Sequence, residues 1–438
     1  MPETDRGRGL VYIETYGCAL NSADSGIMRS RLLARGYKMV SDPSQADVII
    51  INTCTVRQDT EERMIKRIKE LYGLSLKKGS LLVVAGCMAS AQPYTVKKIA
   101  PGSLIVNVEN VHLIDVALER REDLVKSPPA PKTAYTPKIE GVLRGKVAEV
   151  PIQDGCMGEC SFCITKFARR KLLSRPIGQL VEIVREAVAR GAVEVRLAGQ
   201  DTGSYGMDLY GVRALPELVR QVASVPGKFM IRVGMANPDS IEPILDEFIE
   251  VLKHPKVYKF VHIPVQSGDD RVLRLMRRRY TVDDFKRVVK EIRSKVPGVM
   301  IATDIIVGHP GEDEEAFENT LRLIYEMRFE RVHVAHYTPR PRTISAGLPQ
   351  VPSSVKKERS KRVMALVERI GLEEHRRYIG SRALALVVER GLRGGLDAKL
   401  YNYMPVVLPE GSARLGEWRC VEIREATWYD LRGVAVEC

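Results

Sequence analysis

The feature that most constrains the fold of this chain is a repeated alternation of short apolar segments with segments of helical spacing. Between residues 10 and 115 the apolar segments fit strands buried on both faces, and Ser22–Arg35 and Gln58–Tyr72 fit helices. The strand candidates are Leu10–Thr15, Ala46–Ile51, Leu81–Ala85 and Leu104–Val108. This alternation predicts a parallel sheet with helices on both faces. Because no G-x-G-x-x-G follows the first strand, a dinucleotide-binding fold is not supported.

A second alternating stretch occupies residues 145–340. Helical spacing is clearest at Ile177–Arg190 and Val282–Lys295. The strand candidates are Ala148–Pro151, Glu194–Ala198, Phe229–Val233, Lys259–Ile263, Met300–Val307 and Val332–Tyr337. Consecutive βα units of this kind predict a full or partial barrel, with active groups at the carboxyl ends of its strands.

The pattern changes before and after this second stretch. Residues 126–140 hold four prolines without apolar periodicity, which predicts a linker. After a predicted helix at Val355–Tyr378, strand-like segments with glycine-rich turns predict a small β-barrel. These segments are Ala383–Glu389, Asp397–Leu408, Trp418–Glu422 and Val434–Glu437. We therefore predict an α/β chain with a parallel-sheet domain (1–125), a linker (126–140), a (βα) partial-barrel domain (141–375) and a small β-barrel (376–438).

Composition narrows the cellular setting and the partners. Hydrophobic residues make up 45% of the 438 residues and charged residues 28%, as in an ordinary globular protein. The polar start and the short apolar runs predict neither a secretion signal nor a membrane span, so we expect a cytoplasmic protein without a membrane partner. The net charge of +13 favours an anionic partner such as nucleic acid, although a protein that is merely basic remains an alternative.

The segment Gln153–Cys163 (QDGCMGECSFC) carries the strongest motif in the chain. Cys156, Cys160 and Cys163 are spaced C-x₃-C-x₂-C just after the predicted first barrel strand. Three thiolates in one short loop can hold three corners of a four-iron cluster and leave the fourth iron open. The alternative is a structural zinc site, but zinc needs a fourth ligand and no further Cys or His lies nearby in sequence.

Three more cysteines follow predicted strands of the first domain. Cys18, Cys54 and Cys87 each lie a few residues past a strand. Because the carboxyl ends of parallel strands meet at one edge of a sheet, these cysteines are expected to meet in space. A single buried thiol is common, but the repeated placement predicts a second cluster with an open iron.

These motifs together resemble the methylthiotransferase family of radical S-adenosylmethionine (SAM) enzymes. The resemblance begins with YGC-x-x-N, NTC-x-VR and GC-x₄-Q, which are followed by GC-x₃-C-x-FC, and it covers nearly the whole chain. Within the family, the CITKFAR and DTGSYG segments are most similar to the archaeal and eukaryotic branch. Further similar segments are Leu197–Gly206, Arg232–Pro238, His262–Gly268, Arg271–Thr281, Thr303–Glu312 and Tyr337–Pro341.

The resemblance implies a function. The branch methylthiolates N6-threonylcarbamoyladenosine beside the tRNA anticodon, using two [4Fe-4S] clusters and SAM. The cluster on Cys156, Cys160 and Cys163 cleaves SAM to a 5′-deoxyadenosyl radical, and the cluster on the other cysteines holds the sulfur to be inserted. The expected partners are tRNA, an electron donor and a sulfur source, and the C-terminal barrel resembles the RNA-binding TRAM domain. The alternatives are methylthiolation of a ribosomal-protein aspartate and a non-catalytic zinc- and RNA-binding protein.

The chain departs from the family at two places. His309 stands where the family commonly has Phe, and Arg342-Thr343-Ile344 stands where it has Gly-Thr-Pro. The second change adds a cation near the predicted active-site mouth. Both changes bear on substrate contacts more than on the reaction type.

Candidate SAM contacts lie next to the cluster loop and at later strand ends. Family resemblance places Phe162 against the SAM adenine, but it is equally a loop aromatic that covers the cluster. Gly199, Gln200 and Asp201 follow the second barrel strand, where glycine permits close approach and polar groups meet the amine or ribose. Arg232 and Gln266 fit the carboxylate or ribose, or alternatively are satisfied polar groups of the barrel core.

Candidate RNA contacts form a basic run beside the cluster loop. No acidic residue interrupts it, so phosphate binding is predicted, with a solvated helix start as the alternative. The run consists of Lys166, Arg169, Arg170, Lys171 and Arg175. Arg277–Arg279 is a second basic group of the same kind. Tyr401, Tyr403 and Trp418 of the C-terminal barrel either stack on bases or pack its core.

The remaining cysteines and the histidines carry no predicted site. Cys420 and Cys438 are interpreted as plain thiols, and the seven histidines show no metal-ligand spacing. His262 and His336 at strand ends are interpreted as hydrogen-bonded core residues.

Overall fold

A computed structural model of the chain describes residues 8–56, 58–126, 139–391 and 394–437. The chain forms two compact units. Unit 1 consists of Met1–Val142, Gln153–Met157 and Cys163–Gln179, and unit 2 of Leu143–Ile152, Gly158–Phe162 and Leu180–Cys438. Most of the predicted linker, residues 127–138, lies outside the described residues, and the predicted domain boundaries stay a prediction.

The elements of the described residues are numbered in chain order. The strands are Leu10–Thr15 (β1), Lys38–Met39 (β2), Val48–Thr53 (β3), Leu81–Gly86 (β4), Leu104–Val106 (β5), Leu143–Arg144 (β6), Val147–Pro151 (β7), Gln153–Asp154 (β8), Leu173–Ser174 (β9), Glu194–Ala198 (β10), Met230–Val233 (β11), Phe260–His262 (β12), Met300–Val307 (β13), Arg331–His336 (β14), Arg382–Arg390 (β15), Leu396–Leu400 (β16), Pro405–Leu408 (β17), Trp418–Ala426 (β18) and Leu431–Val436 (β19). The α-helices are Ala19–Ala34 (α1), Gln58–Lys78 (α2), Cys87–Ala91 (α3), Pro93–Ile99 (α4), Ile114–Arg120 (α5), Thr165–Ala168 (α6), Ile177–Ala189 (α7), Leu215–Ala223 (α8), Pro238–Ile241 (α9), Leu245–Leu252 (α10), Asp270–Leu275 (α11), Val282–Lys295 (α12), Glu314–Met327 (α13) and Ser353–Arg376 (α14).

Unit 1 is built on a five-stranded parallel sheet of order β2-β1-β3-β4-β5. Strand β3 is buried along its whole length because helices cover both faces. Ile50 packs with α1 and α5, whereas Ile49 and Ile51 pack with α2 and α4. This arrangement confirms the predicted sheet and explains why its strands are continuous apolar runs.

Helix α1 begins at Ala19, three residues before the predicted start. Cys18 is its N-cap, and the first turns bury polar residues. These are Asn21, Ser22, Asp24 and Ser25. Helical periodicity did not predict this start because the buried face is polar here, which marks a site on the face that packs against the sheet end.

Unit 2 contains the predicted partial barrel as two sheets, of order β11-β10-β7-β6 and β12-β13-β14. Strands β7, β10 and β11 pair in parallel, and so do β12, β13 and β14. A single bridge between Ile231 and Val257 links the two sheets. The carboxyl ends of these strands therefore form one edge at which a ligand can bind.

The C-terminal strands close into a barrel of order β15-β16-β17-β19-β18, as predicted. The predicted strand Asp397–Leu408 is two strands, β16 and β17, because the chain turns between them at Tyr403, whose φ is +70°. The barrel shares one apolar core with β11 and β12, in which Tyr403 packs against Tyr258 and Phe260. No helix among the described residues is both long and apolar enough to cross a membrane.

Candidate active site

Three cysteines of unit 1 follow three adjacent strands of its sheet. Cys54 comes directly after β3, Cys87 directly after β4, and Cys18 lies three residues after β1. Pairing of Thr15 with Asn52 and of Thr53 with Gly86 brings the three strand ends level. The parallel register therefore places the thiols at one edge, as the sequence predicts.

Two glycines permit this close approach of the loops. Gly86 has a φ of +91°, and a Cβ there would lie 2.3 Å from Asn52 Oδ1 and 2.6 Å from the Thr53 carbonyl oxygen. Gly17 has a φ of +111°, and a Cβ there would lie 3.1 Å from the Cβ of Cys54. Both positions require the left-handed conformation that glycine adopts without strain.

Asn21 connects two of the thiols to the sheet. Its Oδ1 lies 3.6 Å from Cys18 Sγ and 3.7 Å from Cys87 Sγ. Its Nδ2 donates to the Thr53 carbonyl oxygen at 2.8 Å, directly before Cys54. The buried amide of Asn21 therefore lies beside the sulfurs of Cys18 and Cys87 and holds the backbone directly before Cys54.

Gln92 holds the loop that carries Cys54. Its Nε2 donates to Thr55 Oγ1 at 2.8 Å and to Glu61 Oε2 at 2.6 Å. This contact gives the spacing GC-x₄-Q a structural reason, because it ties the segment after β4 to the segment after β3.

The sulfurs of this trio suit a cluster better than a single ion. Zinc–sulfur bonds of about 2.3 Å keep two sulfurs of one zinc ion within about 4.6 Å of each other. Among the described residues, only His262, Asp304 and His333 bring three candidate ligand atoms within 4.8 Å of one another. The cysteine trio is spread more widely, which fits three corners of an iron–sulfur cluster.

The thiols of the trio differ in exposure. Cys18 is exposed, whereas Cys54 and Cys87 are buried. Burial raises the pKa of Cys54 and raises that of Cys87 to about 12. Both thiols are therefore less acidic than a free cysteine, and their role as metal ligands stays a prediction.

The cluster loop of the C-x₃-C-x₂-C motif follows β7 and β8, and its three cysteines are partly exposed. In unit 2, Arg278 Nη1 donates to Cys160 Sγ at 3.2 Å. Arg278 Nη2 also donates to Asn237 Oδ1 at 2.8 Å and to the Pro264 carbonyl oxygen at 3.0 Å. Arg278 therefore contacts a cysteine of the motif, and RNA binding by Arg277–Arg279 stays a prediction.

Phe162 packs in unit 2 against an apolar group that includes Val272 and Met276, and its ring meets the edge of His309 at 6.2 Å. His309 is fully buried, and its Nε2 lies 2.8 Å from Ser345 Oγ. Ser345 Oγ in turn lies 2.7 Å from Ser161 Oγ. The polar replacement at 309 is thus hydrogen-bonded to Ser345 and connected through it to Ser161, the residue between Cys160 and Phe162.

The predicted SAM residues lie at strand ends of unit 2, where Gly199, Gln200 and Asp201 follow β10. Asp201 is buried and accepts hydrogen bonds from the Asn237 backbone N–H at 2.9 Å and from Ser240 Oγ at 2.6 Å. Burial raises the pKa of this carboxyl group. Asp201 therefore anchors the loop after β11, and a contact with SAM stays a prediction.

Three of the predicted SAM residues carry a buried polar atom without a hydrogen-bond partner among the described residues. Gln200 Oε1 and Gln266 Oε1 are buried and have no hydrogen-bond partner among the described residues. Buried polar atoms of this kind need an explanation, and a contact between the two glutamines and SAM stays a prediction. Arg232 Nε is also buried without such a partner, but the guanidinium lies 5.1 Å from the ring centre of Phe260 and 5.5 Å from that of Tyr403. This position favours the alternative that Arg232 belongs to the barrel core.

The structure corrects the predicted RNA-binding set. Arg169 and Arg175 are buried, with 3% and 2% of their surface exposed. A cation so enclosed cannot reach an external phosphate, so these two assignments are wrong. Arg170 and Lys171 are exposed and Lys166 is half-buried, and these three stay predicted RNA contacts.

The sequence did not predict the group of His262, Asp304 and His333 on β12, β13 and β14. His262 Nε2 lies 3.1 Å from Asp304 Oδ1, and Asp304 pairs with His333 across the strands. Its members come from three separate strands, so no spacing along the chain reveals it. His262 is a hydrogen-bonded residue, as interpreted from the sequence. His336 is exposed, so its interpretation as a core residue is wrong.

The aromatic residues of the C-terminal barrel divide between core and surface. Tyr403 and Trp418 pack against its core, whereas Tyr401 is 42% exposed. Lys259 Nζ lies 4.6 Å from the ring centre of Tyr401. Base stacking therefore stays a prediction for Tyr401, and core packing describes the other two. Cys438 lies outside the described residues.

Comparisons with known proteins agree with the geometry. The family model described as "Uncharacterized protein family UPF0004" matches residues 10–107, and the model described as "Radical SAM superfamily" matches residues 150–324. The radical SAM methyltransferase TsrM from Kitasatospora setae has a TM-score of 0.60 at 14% identity, over 77% of each chain, which shows the fold alone. Membership of this superfamily implies SAM and a [4Fe-4S] cluster as cofactors.

Two curated relatives match nearly the full chain. The "Probable threonylcarbamoyladenosine tRNA methylthiotransferase" of Pyrococcus abyssi is 39% identical over 430 residues, which are 97% of this chain and 98% of that protein. The human "Threonylcarbamoyladenosine tRNA methylthiotransferase" is 35% identical over 443 residues, which are 97% of this chain and 74% of that protein. The chain therefore belongs to the threonylcarbamoyladenosine tRNA methylthiotransferase family.

Proposed function

We propose that this protein methylthiolates tRNA, converting N6-threonylcarbamoyladenosine beside the anticodon to its 2-methylthio derivative. The observation that carries the proposal is the convergence of Cys18, Cys54 and Cys87 around Asn21 at one sheet edge of unit 1. A radical SAM enzyme without sulfur insertion does not need this second trio. The names of the relatives supply the nucleoside.

The two cysteine trios have separate roles in this proposal. When bound to Cys156, Cys160 and Cys163, a [4Fe-4S] cluster supplies the electron that cleaves SAM and so the radical that abstracts hydrogen from the adenine ring. Cys18, Cys54 and Cys87 would hold a second [4Fe-4S] cluster, which would carry the sulfur for insertion, and a separate SAM molecule would supply the methyl group of the product. The protein itself positions these groups and excludes water.

The chain's own residues prepare both sites. Gln200 and Gln266 offer buried oxygens as acceptors for SAM, whose amino group and hydroxyls are donors. Arg278 donates a hydrogen bond to Cys160 Sγ, where its positive charge would offset the negative charge of an iron-bound sulfur. Burial of Cys54 and Cys87 keeps water from two of the three sulfurs of the second trio.

The partners follow from the same proposal. Lys166, Arg170 and Lys171 are the proposed phosphate contacts for tRNA, together with the TRAM-like C-terminal barrel. An electron donor and a sulfur source complete the reaction, which we place in the cytoplasm. We also propose the domain division at residues 1–125, 126–140, 141–375 and 376–438.

The test is mass spectrometry of nucleosides from tRNA incubated with reduced enzyme and SAM. We expect the 2-methylthio derivative of N6-threonylcarbamoyladenosine with the wild-type protein. Cys54→Ala should abolish that product while SAM cleavage continues, and Cys420→Ala, outside both trios, should leave it unchanged. A methylthiolated ribosomal peptide in place of the nucleoside would contradict the proposal, as would zinc in both trios without SAM cleavage.

A further inference from the structure

Arg169 of unit 1 is a fully buried cation that the proposed mechanism does not use. It lies six residues after Cys163, and its side chain has no exposed surface. Nη2 donates to Asp24 Oδ2 at 2.7 Å, and Nη1 pairs with Asp154. Isolated buried charges are costly, so the protein retains this cation only with its two carboxylate partners.

The guanidinium of Arg169 lies beside the Cys18, Cys54 and Cys87 trio. Nη2 is 3.4 Å from Asn21 Oδ1, the same atom that lies 3.6 Å from Cys18 Sγ and 3.7 Å from Cys87 Sγ. Although burial opposes its charge, Asp24 and Asp154 raise the pKa of Arg169 above its usual range. A permanent positive charge therefore lies next to Asn21, whose side chain contacts the sulfurs of Cys18 and Cys87.

One donor of Arg169 has no protein acceptor. Its Nε is buried and has no hydrogen-bond partner among the described residues. Leaving such a donor unsatisfied is unfavourable, and more so for a charged group. An N–H of this kind, close to a proposed cluster site, suits an inorganic sulfide or thiolate sulfur as its acceptor.

We propose that Arg169 is a positioning residue for the sulfur-carrying cluster on Cys18, Cys54 and Cys87, where it donates a hydrogen bond to cluster sulfur and raises the reduction potential. This inference rests on the second cluster of the proposed function. A nearby cation stabilises the more negative, reduced state, and hydrogen bonds to sulfur act in the same direction. Without Arg169, the carboxylates of Asp24 and Asp154 would face the cluster uncompensated.

The same arginine ties the two cluster loops to each other within unit 1. Asp154 lies two residues before Cys156, and Asp24 lies on α1, whose N-cap is Cys18. The Asp24–Arg169–Asp154 network thus fixes one flank of the C-x₃-C-x₂-C loop against the helix that starts at the other trio. If Arg169 only connected these two segments, its substitution would not change the reduction potential of the cluster. The test must therefore measure that potential.

The experiment uses the full chain with Cys156, Cys160 and Cys163 all changed to Ala, which leaves only the second trio to bind iron. The reconstituted protein is titrated with reductant, and the midpoint potential is followed by electron paramagnetic resonance. We expect Arg169→Gln to disfavour reduction at least tenfold, which is about 59 mV for one electron. Arg169→Lys, which keeps the charge, should restore part of the potential.

The control is Arg35→Gln, which removes a cation paired with Asp115 elsewhere in unit 1 and should leave the potential unchanged. An unchanged potential in Arg169→Gln would overturn the inference. If that variant binds no cluster, Asp24→Asn decides, because removal of a carboxylate should raise the potential and an unchanged value refutes the role. A parent protein that binds no iron would instead refute the second cluster of the proposed function.

Discussion

His309, where the family commonly has Phe, permits a quantitative prediction about protonation. Its Nδ1 lies 2.9 Å from the Pro310 carbonyl oxygen, and its Nε2 lies 2.8 Å from Ser345 Oγ. Because a carbonyl oxygen only accepts, Nδ1 carries the hydrogen, and a neutral ring accepts at Nε2. Burial lowers the pKa of His309 to about 4, so the ring is neutral at pH 7.

The direction of the pH effect follows from this lowered pKa. Between pH 6.5 and about 4 the unfolded chain holds a proton on His309 that the folded chain lacks. The stability that His309 contributes is therefore complete above pH 6.5 and is lost as the pH falls towards 4. A displacement of the pKa from 6.5 to about 4 corresponds to about 3 kcal/mol.

The perturbation is His309→Phe, which removes the titrating group but keeps a ring. We expect the difference in unfolding free energy between variant and wild type to move by about 3 kcal/mol in favour of the variant from pH 7 to pH 4. Chemical denaturation at several pH values measures this difference. In histidine-labelled protein, nuclear magnetic resonance follows the His309 Cε1–H signal, which the variant identifies by its absence.

Hydrogen bonding acts on the pKa of His309 in the direction opposite to burial, and the experiment can detect this effect. Ser345 Oγ lies 2.7 Å from Ser161 Oγ, which itself donates to the Leu275 carbonyl oxygen at 2.7 Å. With the bond to His309, this chain of three bonds has one proton too few when the ring is neutral. A measured His309 pKa at or above 6.5 would show that an imidazolium completes the chain and that the reasoning from burial is wrong.

Three other predictions concern separate parts of the chain. Gly86→Ala should reduce the iron content from about eight to about four per chain, because its Cβ would displace the loop that carries Cys54. The control is Gly79→Ala, where φ is +73° and no atom lies within 4 Å of the added Cβ. An unchanged iron content in Gly86→Ala would contradict the cluster site on Cys18, Cys54 and Cys87. Changing Arg170 and Lys171 together to Gln should make the salt dependence of tRNA binding shallower by about 1.5 in log–log slope, and an equal slope would remove them from the interface. Tyr403→Ala should cost about 3 kcal/mol in denaturant unfolding, because the ring packs against Tyr258 and Phe260, whereas the exposed Tyr401→Ala should cost well under 1 kcal/mol.

The sequence predicts the sheets and the cysteine edge of unit 1 well, since both depend on local pattern. Strands such as β1 and β13 match their predicted ends because continuous apolar runs identify buried strands. Cys54 and Cys87 directly follow strands whose register the parallel topology fixes. Convergence of these thiols therefore needs only the order of the elements.

Charge partners escape prediction because they lie far apart in sequence. Arg169 appears in a basic run, but its partner Asp24 is 145 residues away. A run of cations without nearby acids indicates a solvated surface, and only folding shows that two of its members are enclosed. The same reason hides the pairing of Arg278 with Cys160, which spans 118 residues.

The strand ladder that holds the cysteine edge of unit 1 has a consequence for assembly and repair. Backbone pairing and apolar packing fix Thr53 and Gly86, and hence the adjacent thiols, without any contribution from iron. Loading a cofactor there should cost little ordering entropy, unlike in small domains that fold only around their metal. We expect unit 1 to keep its fold when oxygen destroys the cluster at this edge, and to accept a new cluster repeatedly.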